Sequence, residues 1–156
     1  METKTRISVQ DRFEINELIA RYYLANDEKD VEAALACCTD DAIISGDFSM
    51  RPDHQEEDLK KIYAGEPGKK RHLMLNHIVT DFEGDTARTQ HLMLVIEASL
   101  IPAAVATSQV TDVLKRTAEG WKIAEHKITV DPSGKWIVQM GQGIQNMIET
   151  VKEKLS

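Results

Sequence analysis

The sequence predicts an α+β domain, with N-terminal helices packed against one face of a strongly curved, mixed or antiparallel sheet. Three observations lead there. In the first third, Ile15, Leu18, Ile19 and Tyr22 recur at i, i+3, i+4 and i+7, one stripe of a 3.6-period helix. After Lys70 the apolar period falls to two, over long stretches separated by short turns. The end of the chain returns to helical spacing with Ile144, Met147, Ile148, Val151 and Leu155. The 156 residues contain no internal repeat and no linker, so one domain over 1–156 is expected.

The elements follow in order. Ser8 and Asp11 resemble a capping box with the shorter acid, which starts the first helix near Val9 and carries it to about Asn26. A second, short helix begins after Asp30, with Val31, Ala34, Leu35 and Cys38 on its inner face. Thr39-Asp40-Asp41 breaks that pattern, and Ala42 to Ser45 reads as a short strand. Pro52 opens a third helix, since its missing N–H costs nothing in a first turn. Leu59, Ile62 and Tyr63 supply the buried face, and Gly65 to Gly68 forms a loop. Arg71 to Phe82 and Thr86 to Glu97 form a hairpin around Glu83-Gly84-Asp85. Ala106 to Arg116 and Trp121 to Val130 form another around Ala118-Glu119-Gly120. Between the pairs, Ala98 to Val105 contains Pro102, the mark of a flexible or bulged crossing that would serve as a lid. Asp131-Pro132-Ser133-Gly134 is a turn.

Charge and composition narrow the function classes. Nineteen Lys and Arg against 26 Asp and Glu give a net charge of −7. An acidic surface repels phosphate backbones, and the one basic run, Lys69-Lys70-Arg71, reads as a solvated loop entering a strand. No apolar run approaches the roughly 18 residues that span a bilayer, and Met1 to Arg6 supply no signal-peptide core. Neither a nucleic acid nor a membrane is expected as partner. Cys37 and Cys38 are neighbours and cannot close a loop on each other, so they read as reduced thiols of a cytoplasmic protein. The sequence has no metal-ligand spacing, Gly141-Gln142-Gly143 lacks the third glycine of a dinucleotide loop, and no cofactor is expected.

The candidate chemistry lies with the histidines. Unbroken strand parity places His72, Met74, Asn76 and Ile78 on one face and Leu73, Leu75, His77 and Val79 on the other. His72 and His77 would then point apart. Thr89, His91, Met93 and Val95 share a face of the next strand. His54 and His126 read as surface or interface residues. Asp27 ends the first helix at the rim of whatever that helix covers. A carboxylate reaching a histidine fixes the imidazole tautomer and stabilises the imidazolium formed when the ring takes a proton. Asp27 and His72 could form such a pair. By spacing alone, Asp27 could equally end its helix in a turn while His72 is a hydrogen-bonded interior residue.

Several motifs stand in a familiar order: Ala20-Arg21-Tyr22-Tyr23, Asp27, Asp30, Cys38-Thr39-Asp40-Asp41-Ala42, Arg71-His72, Asn76, Gly84-Asp85-Thr86-Ala87 and Gly120-Trp121-Lys122-Ile123. From about Val9 to Val130 the chain resembles the SnoaL-like group of the nuclear transport factor 2-like superfamily. That resemblance implies a cone of bent sheet, a cystatin-like α+β roll closed by N-terminal helices around a pocket, and homodimers paired through the outer sheet face. Scytalone dehydratases and hexachlorocyclohexane dehydrochlorinase carry an Asp–His dyad at the places of Asp27 and His72. A second dehydratase histidine matches His91, and a tyrosine of bile-acid dehydratases and ketosteroid isomerases matches Tyr22. The chain also departs from these relatives. Asn26 and Gly46 stand where scytalone dehydratase has tyrosines. The isomerases' general-base Asp also falls near Gly46, and their protonated Asp near Gln109.

The resemblance implies a cofactor-independent lyase of the dehydratase type, or an isomerase, acting on a small apolar cyclic or carbonyl substrate. His72 is the expected general base and Asp27 its orienting anion, with His91 or Tyr22 donating to the departing oxygen or developing enolate. Asn76, Phe48, Met74, Met93, Tyr63 and Leu100 are the expected substrate-binding residues. The alternative is a non-catalytic small-molecule-binding or dimerisation module of the same fold.

Overall fold

The computed structural model describes residues 7–132. The expected C-terminal helix lies outside them, as does the second half of the Asp131–Gly134 turn. Helix α1 (Val9–Asp27) starts where expected, and the Asp11 backbone N–H donates to Ser8 Oγ at 3.0 Å. Its buried face is Ile15, Ile19, Tyr22, Tyr23 and Ala25, so Tyr23 joins the expected stripe. Asp11 also accepts from Arg116 (2.5 Å) and from the Trp121 indole (3.1 Å), tying the helix start to the sheet.

Helix α2 (Val31–Ala36) is capped by Asp30, whose side chain accepts the Ala33 N–H. The sequence reading placed Cys38 on this helix, whereas it opens strand β1 (Cys38–Gly46). Sheet pairing captures the chain there: Cys38 stands opposite Ile123, whose N–H donates to the Cys37 carbonyl at 2.9 Å. Both cysteines are buried and free. Helix α3 (Gln55–Gly65) begins three residues beyond Pro52. A turn closed by the His54 N–H on the Arg51 carbonyl comes first, and Arg51 grips Asp58 through its backbone and guanidinium N–H groups.

Strands β2 (Lys70–Glu83), β3 (Thr86–Glu97), β4 (Ala103–Thr117) and β5 (Gly120–Val130) follow as antiparallel neighbours. The sheet order is β1-β5-β4-β3-β2, and β1 lies parallel to β5. The sheet is therefore mixed, and the fold is α+β. The expected irregularity near Pro102 is a bulge in β4, with Val105 unpaired between Ala104 and Ala106.

A second bulge changes the sequence reading. Leu75 pairs with Leu92 and Ile78 with Gln90, so Asn76 and His77 together face His91 alone. Asn76 absorbs the extra residue with a left-handed backbone (φ 54°), which asparagine tolerates better than most residues. Parity reverses beyond it. His77 turns inward beside His91, their rings 5.9 Å apart, while Asn76 faces solvent. His72 and His77 thus share the inner face.

Lateral rows of side chains cross that face. His72, Val95 and Ala106 form the first, and Met74, Met93, Ser108 and Val130 the second. His91, Val110 and Ile128 form the third, and Thr89, Asp112, His126 and Ile44 the fourth. α1 covers these rows with its two tyrosines. No helix among the described residues is long and apolar enough to cross a membrane.

Candidate active site

A cavity of about 440 Å³ opens between the helices and the inner sheet face. Its walls include Ile44, Met50, Leu59, Met93, Val95, Ile128 and Val130, and such apolar surroundings suit a small organic molecule. Polar groups enter it at few places.

One is Asp27, the last residue of α1, which meets His72 on β2 across 45 positions of sequence. His72 Nδ1 lies 2.7 Å from Asp27 Oδ1, and the His72 backbone N–H donates to the same carboxylate at 3.0 Å. The anion thereby fixes Nδ1 as the protonated nitrogen and leaves Nε2 as the basic one. Asp27 is nearly buried, with 4% of its side chain exposed against 17% for His72. Arg71 lies 3.7 Å from Asp27 and 3.1 Å from Glu28, while Lys70 pairs with Glu97 at 2.5 Å. Of the Lys69-Lys70-Arg71 run, Lys69 stands exposed just ahead of β2 as expected, whereas Lys70 and Arg71 are half-buried strand residues held in ion pairs. Lys70 lines the cavity, and Arg71 stands beside Asp27 outside that lining.

Tyr23 joins this pair to a deeper cluster. Its ring stacks on His72, centroids 5.8 Å apart and planes within 10°, and its hydroxyl lies 2.6 Å from His91 Nε2. Behind it, Asp112 accepts from Thr89 Oγ1 at 2.9 Å, and its Oδ1 lies 2.6 Å from His126 Nδ1. His91 Nδ1 approaches the other carboxylate oxygen at 3.4 Å. Burial opposes ionisation of Asp112, yet His126 and His91 outweigh it and hold the carboxyl below the usual carboxylate range. Burial pushes the Tyr22 and Tyr23 hydroxyls well above the ordinary phenol range, so both remain hydrogen-bond donors.

The expected site residues separate into those on the cavity and those off it. Asp27 reaches it through His72. Tyr22, Phe48, Tyr63 and Met93 line it, and the Tyr63 hydroxyl donates to Asn26 Oδ1 at 2.9 Å. His91 is buried with Tyr23 between it and the cavity. Met74 packs on the core beside Met93 without forming the wall. Asn76 and Leu100 are corrections. The bulge turns Asn76 to solvent, and Leu100 stands 93% exposed on the loop between β3 and β4. His126, read as a surface residue, has no exposed surface at all.

Gly46 accounts for the missing polar group of the first strand. Its φ is 102°, and a Cβ there would stand 1.9 Å from the Ile128 carbonyl oxygen, so no side chain can enter from this position. Sequence reasoning missed Tyr23, Asp112 and His126. Tyr23 carried a signal, one position from the apolar stripe and four from Asp27.

Comparison with known proteins now decides the family. The SnoaL-like domain matches residues 8–127. The chain belongs to the SnoaL-like family. No curated protein matches it. Among solved structures, a Nostoc punctiforme protein of unknown function with a cystatin-like fold superposes with a TM-score of 0.75. It is 24% identical, over 83% of this chain and 97% of that one. A provisionally named scytalone dehydratase from Novosphingobium aromaticivorans gives 0.68 at 15% identity, over 79% and 85%. A Catenulispora acidiphila protein in complex with S-DNPA gives 0.70 at 19%, over 80% and 96%. These likenesses establish the nuclear transport factor 2-like, cystatin-like fold of this SnoaL-like chain.

Proposed function

We propose that this SnoaL-like protein is a cofactor-independent lyase of the dehydratase type, or an isomerase, acting on a small apolar cyclic or carbonyl compound. The Asp27–His72 contact of 2.7 Å at the cavity wall carries the reading. His72 Nε2 removes a proton beside a carbonyl or leaving group, and the ring becomes an imidazolium whose Nδ1–H stays on Asp27. Tyr22 donates a hydrogen bond to the developing enolate or departing oxygen, as burial keeps its hydroxyl protonated. His91 acts only through Tyr23. A placed base contributes about 10²–10⁴-fold. The ligand-bound Catenulispora relative and the dehydratase-named relative support a small-molecule site of this kind.

His72→Asn tests the base, because the Asn amide can still donate to Asp27 while Nε2 is gone. Cyclic ketones and β-hydroxy ketones are screened for solvent-deuterium uptake and for elimination. Wild-type turnover should fall by about 10²–10⁴-fold in the variant. Equal rates would refute the base. Ketones that bind without exchange would leave the second reading, a binding module, which the apolar walls favour.

Two further readings rest on the same fold. Leu73, Leu75, Ile78 and Leu92 are exposed on the outer sheet face and support a homodimer through it. Leu75→Lys should then give a monomer in sedimentation equilibrium, and an unchanged mass would refute that face. The free thiols of Cys37 and Cys38 support a cytoplasmic setting, which localisation of a tagged chain checks.

A further inference from the structure

The cavity wall carries two buried polar atoms that the Asp27–His72 base leaves unexplained. His126 Nε2 and Ser108 Oγ are both screened from bulk water and have no hydrogen-bond partner. Buried polar groups in native proteins are nearly always satisfied, because leaving one without a partner forfeits its hydration with nothing in return. Both residues line the cavity, so a molecule held there is the partner available to them. They do not act from one point. Ser108 stands in the second lateral row, beside Met93 and Val130, and His126 in the fourth.

His126 is built like His72. Its Nδ1 is fixed by a carboxylate oxygen at 2.6 Å, which assigns its free chemistry to Nε2. Asp112 is anchored in turn by Thr89, so the imidazole is held by a positioned carboxylate. The two imidazoles flank one phenol: the Tyr23 centroid is 5.8 Å from His72, stacked, and 6.1 Å from His126, edge-on. Tyr22 meets His126 edge-on at 5.1 Å and closes the remaining side.

We propose that His126 is a second catalytic imidazole, whose Nε2 binds the substrate's oxygen and protonates it as it leaves. The inference rests on the reading of His72 as base. The electron pair of the C–H bond that His72 opens forms the new C=C bond, and the C–O bond breaks. The departing oxygen takes the proton from His126 Nε2 and leaves as water. His72 ends as imidazolium on Asp27, and His126 ends neutral with Nδ1–H still on Asp112. Ser108 Oγ hydrogen-bonds a further oxygen of the substrate. The ligand is thus an apolar molecule carrying a hydroxyl group and a second oxygen function, able to span the second to fourth rows.

The test uses 4-nitrophenol as probe and 4-nitrotoluene, which lacks the hydroxyl, as control, with the full chain labelled by ¹⁵N-histidine. The probe should shift His126 Nε2 and bind about tenfold tighter than the control, the equivalent of one charge-assisted hydrogen bond. His126→Asn keeps a donor for Asp112 and removes Nε2. It should erase the preference and the yellow phenolate absorption of the bound probe. His72→Asn should keep both. Should His126→Asn not fold, the wild-type ¹⁵N titration decides. Absence of binding, equal affinity for the two probes, or binding that leaves His126 Nε2 unmoved would overturn the proposal. Failure of the His72 base is read separately, from deuterium uptake, and leaves these probe results intact.

Discussion

Two carboxylate–imidazole pairs stand in one cavity wall, Asp27–His72 at its mouth and Asp112–His126 at its floor, and their surroundings set them apart. At the mouth, Asp27 takes both the side-chain and the backbone N–H of His72, with Arg71 alongside, and His72 remains partly exposed. At the floor, Asp112, His126 and His91 expose no side-chain surface, and two imidazoles and a threonine share one carboxylate. The mouth pair can relax toward water if disturbed, whereas the floor pair cannot. The same chemistry is therefore tuned for access at one end and for rigidity at the other.

The largest expected effect breaks the floor. Asp112→Ala leaves two buried imidazoles without their anion and should cost about 3–5 kcal/mol, the usual penalty for removing one partner of a buried pair. Asp27→Ala leaves the His72 N–H groups near solvent and should cost about 1–3 kcal/mol. Urea denaturation of both variants measures the difference. A loss from Asp27→Ala equal to that from Asp112→Ala would mean that burial does not distinguish the pairs.

Acid should sharpen the contrast. Burial lowers the His77 pKa from its ordinary value, with His91 adding to the effect, while Asp112 opposes it and Arg12 reinforces it. A histidine depressed in the folded state stabilises fully above its unfolded value, roughly 6.5, and that stability is lost as pH falls toward the folded value. Asp112 is depressed too, so its contribution holds above roughly 3.9 and fades below. Stability should therefore decline in two stages, first from His77 and then from the floor carboxylate. Each group limits the slope to about 1.4 kcal/mol per pH unit. His77→Gln should flatten the first stage in urea midpoints measured from pH 7 down to about 3 and leave the second. A slope unchanged by His77→Gln would reject the assignment.

Periodicity carried the helices among the described residues and the two hairpins, because those depend on local pattern, whereas spacing left the Asp27–His72 pairing open and the resemblance to the SnoaL-like group pointed to it. What periodicity and parity missed on the sheet traces largely to two inserted residues. The Asn76 bulge reverses parity in β2 and brings His77 inward. In β5, Leu114 pairs with Ile123 but Val113 with Glu125, so Ala124 is unpaired. Without that extra residue the tight turn at Ala118-Glu119 would set Glu125, not His126, opposite Asp112. A bulge adds one residue without altering composition or hydrophobic count, and its position depends on how the sheet must bend around α1. The floor of the cavity was hidden for that reason. Leu100 failed differently: an apolar residue two positions before a proline reads as wall or as exposed loop with equal ease.

The smallest expected effect sits at the bulge that made the difference. Asn76 holds φ 54° with its side chain in solvent. Alanine in that left-handed conformation should lose about 1 kcal/mol through the clash of its Cβ with the backbone. Glycine has no Cβ and should stay within a few tenths of a kcal/mol of wild type. Both variants should bind 4-nitrophenol as the wild type does, because the altered side chain lies outside the cavity. If Asn76→Gly instead weakened the probe, the bulge would be held by the asparagine amide rather than by its backbone, and the inward turn of His77 would rest on a side-chain contact.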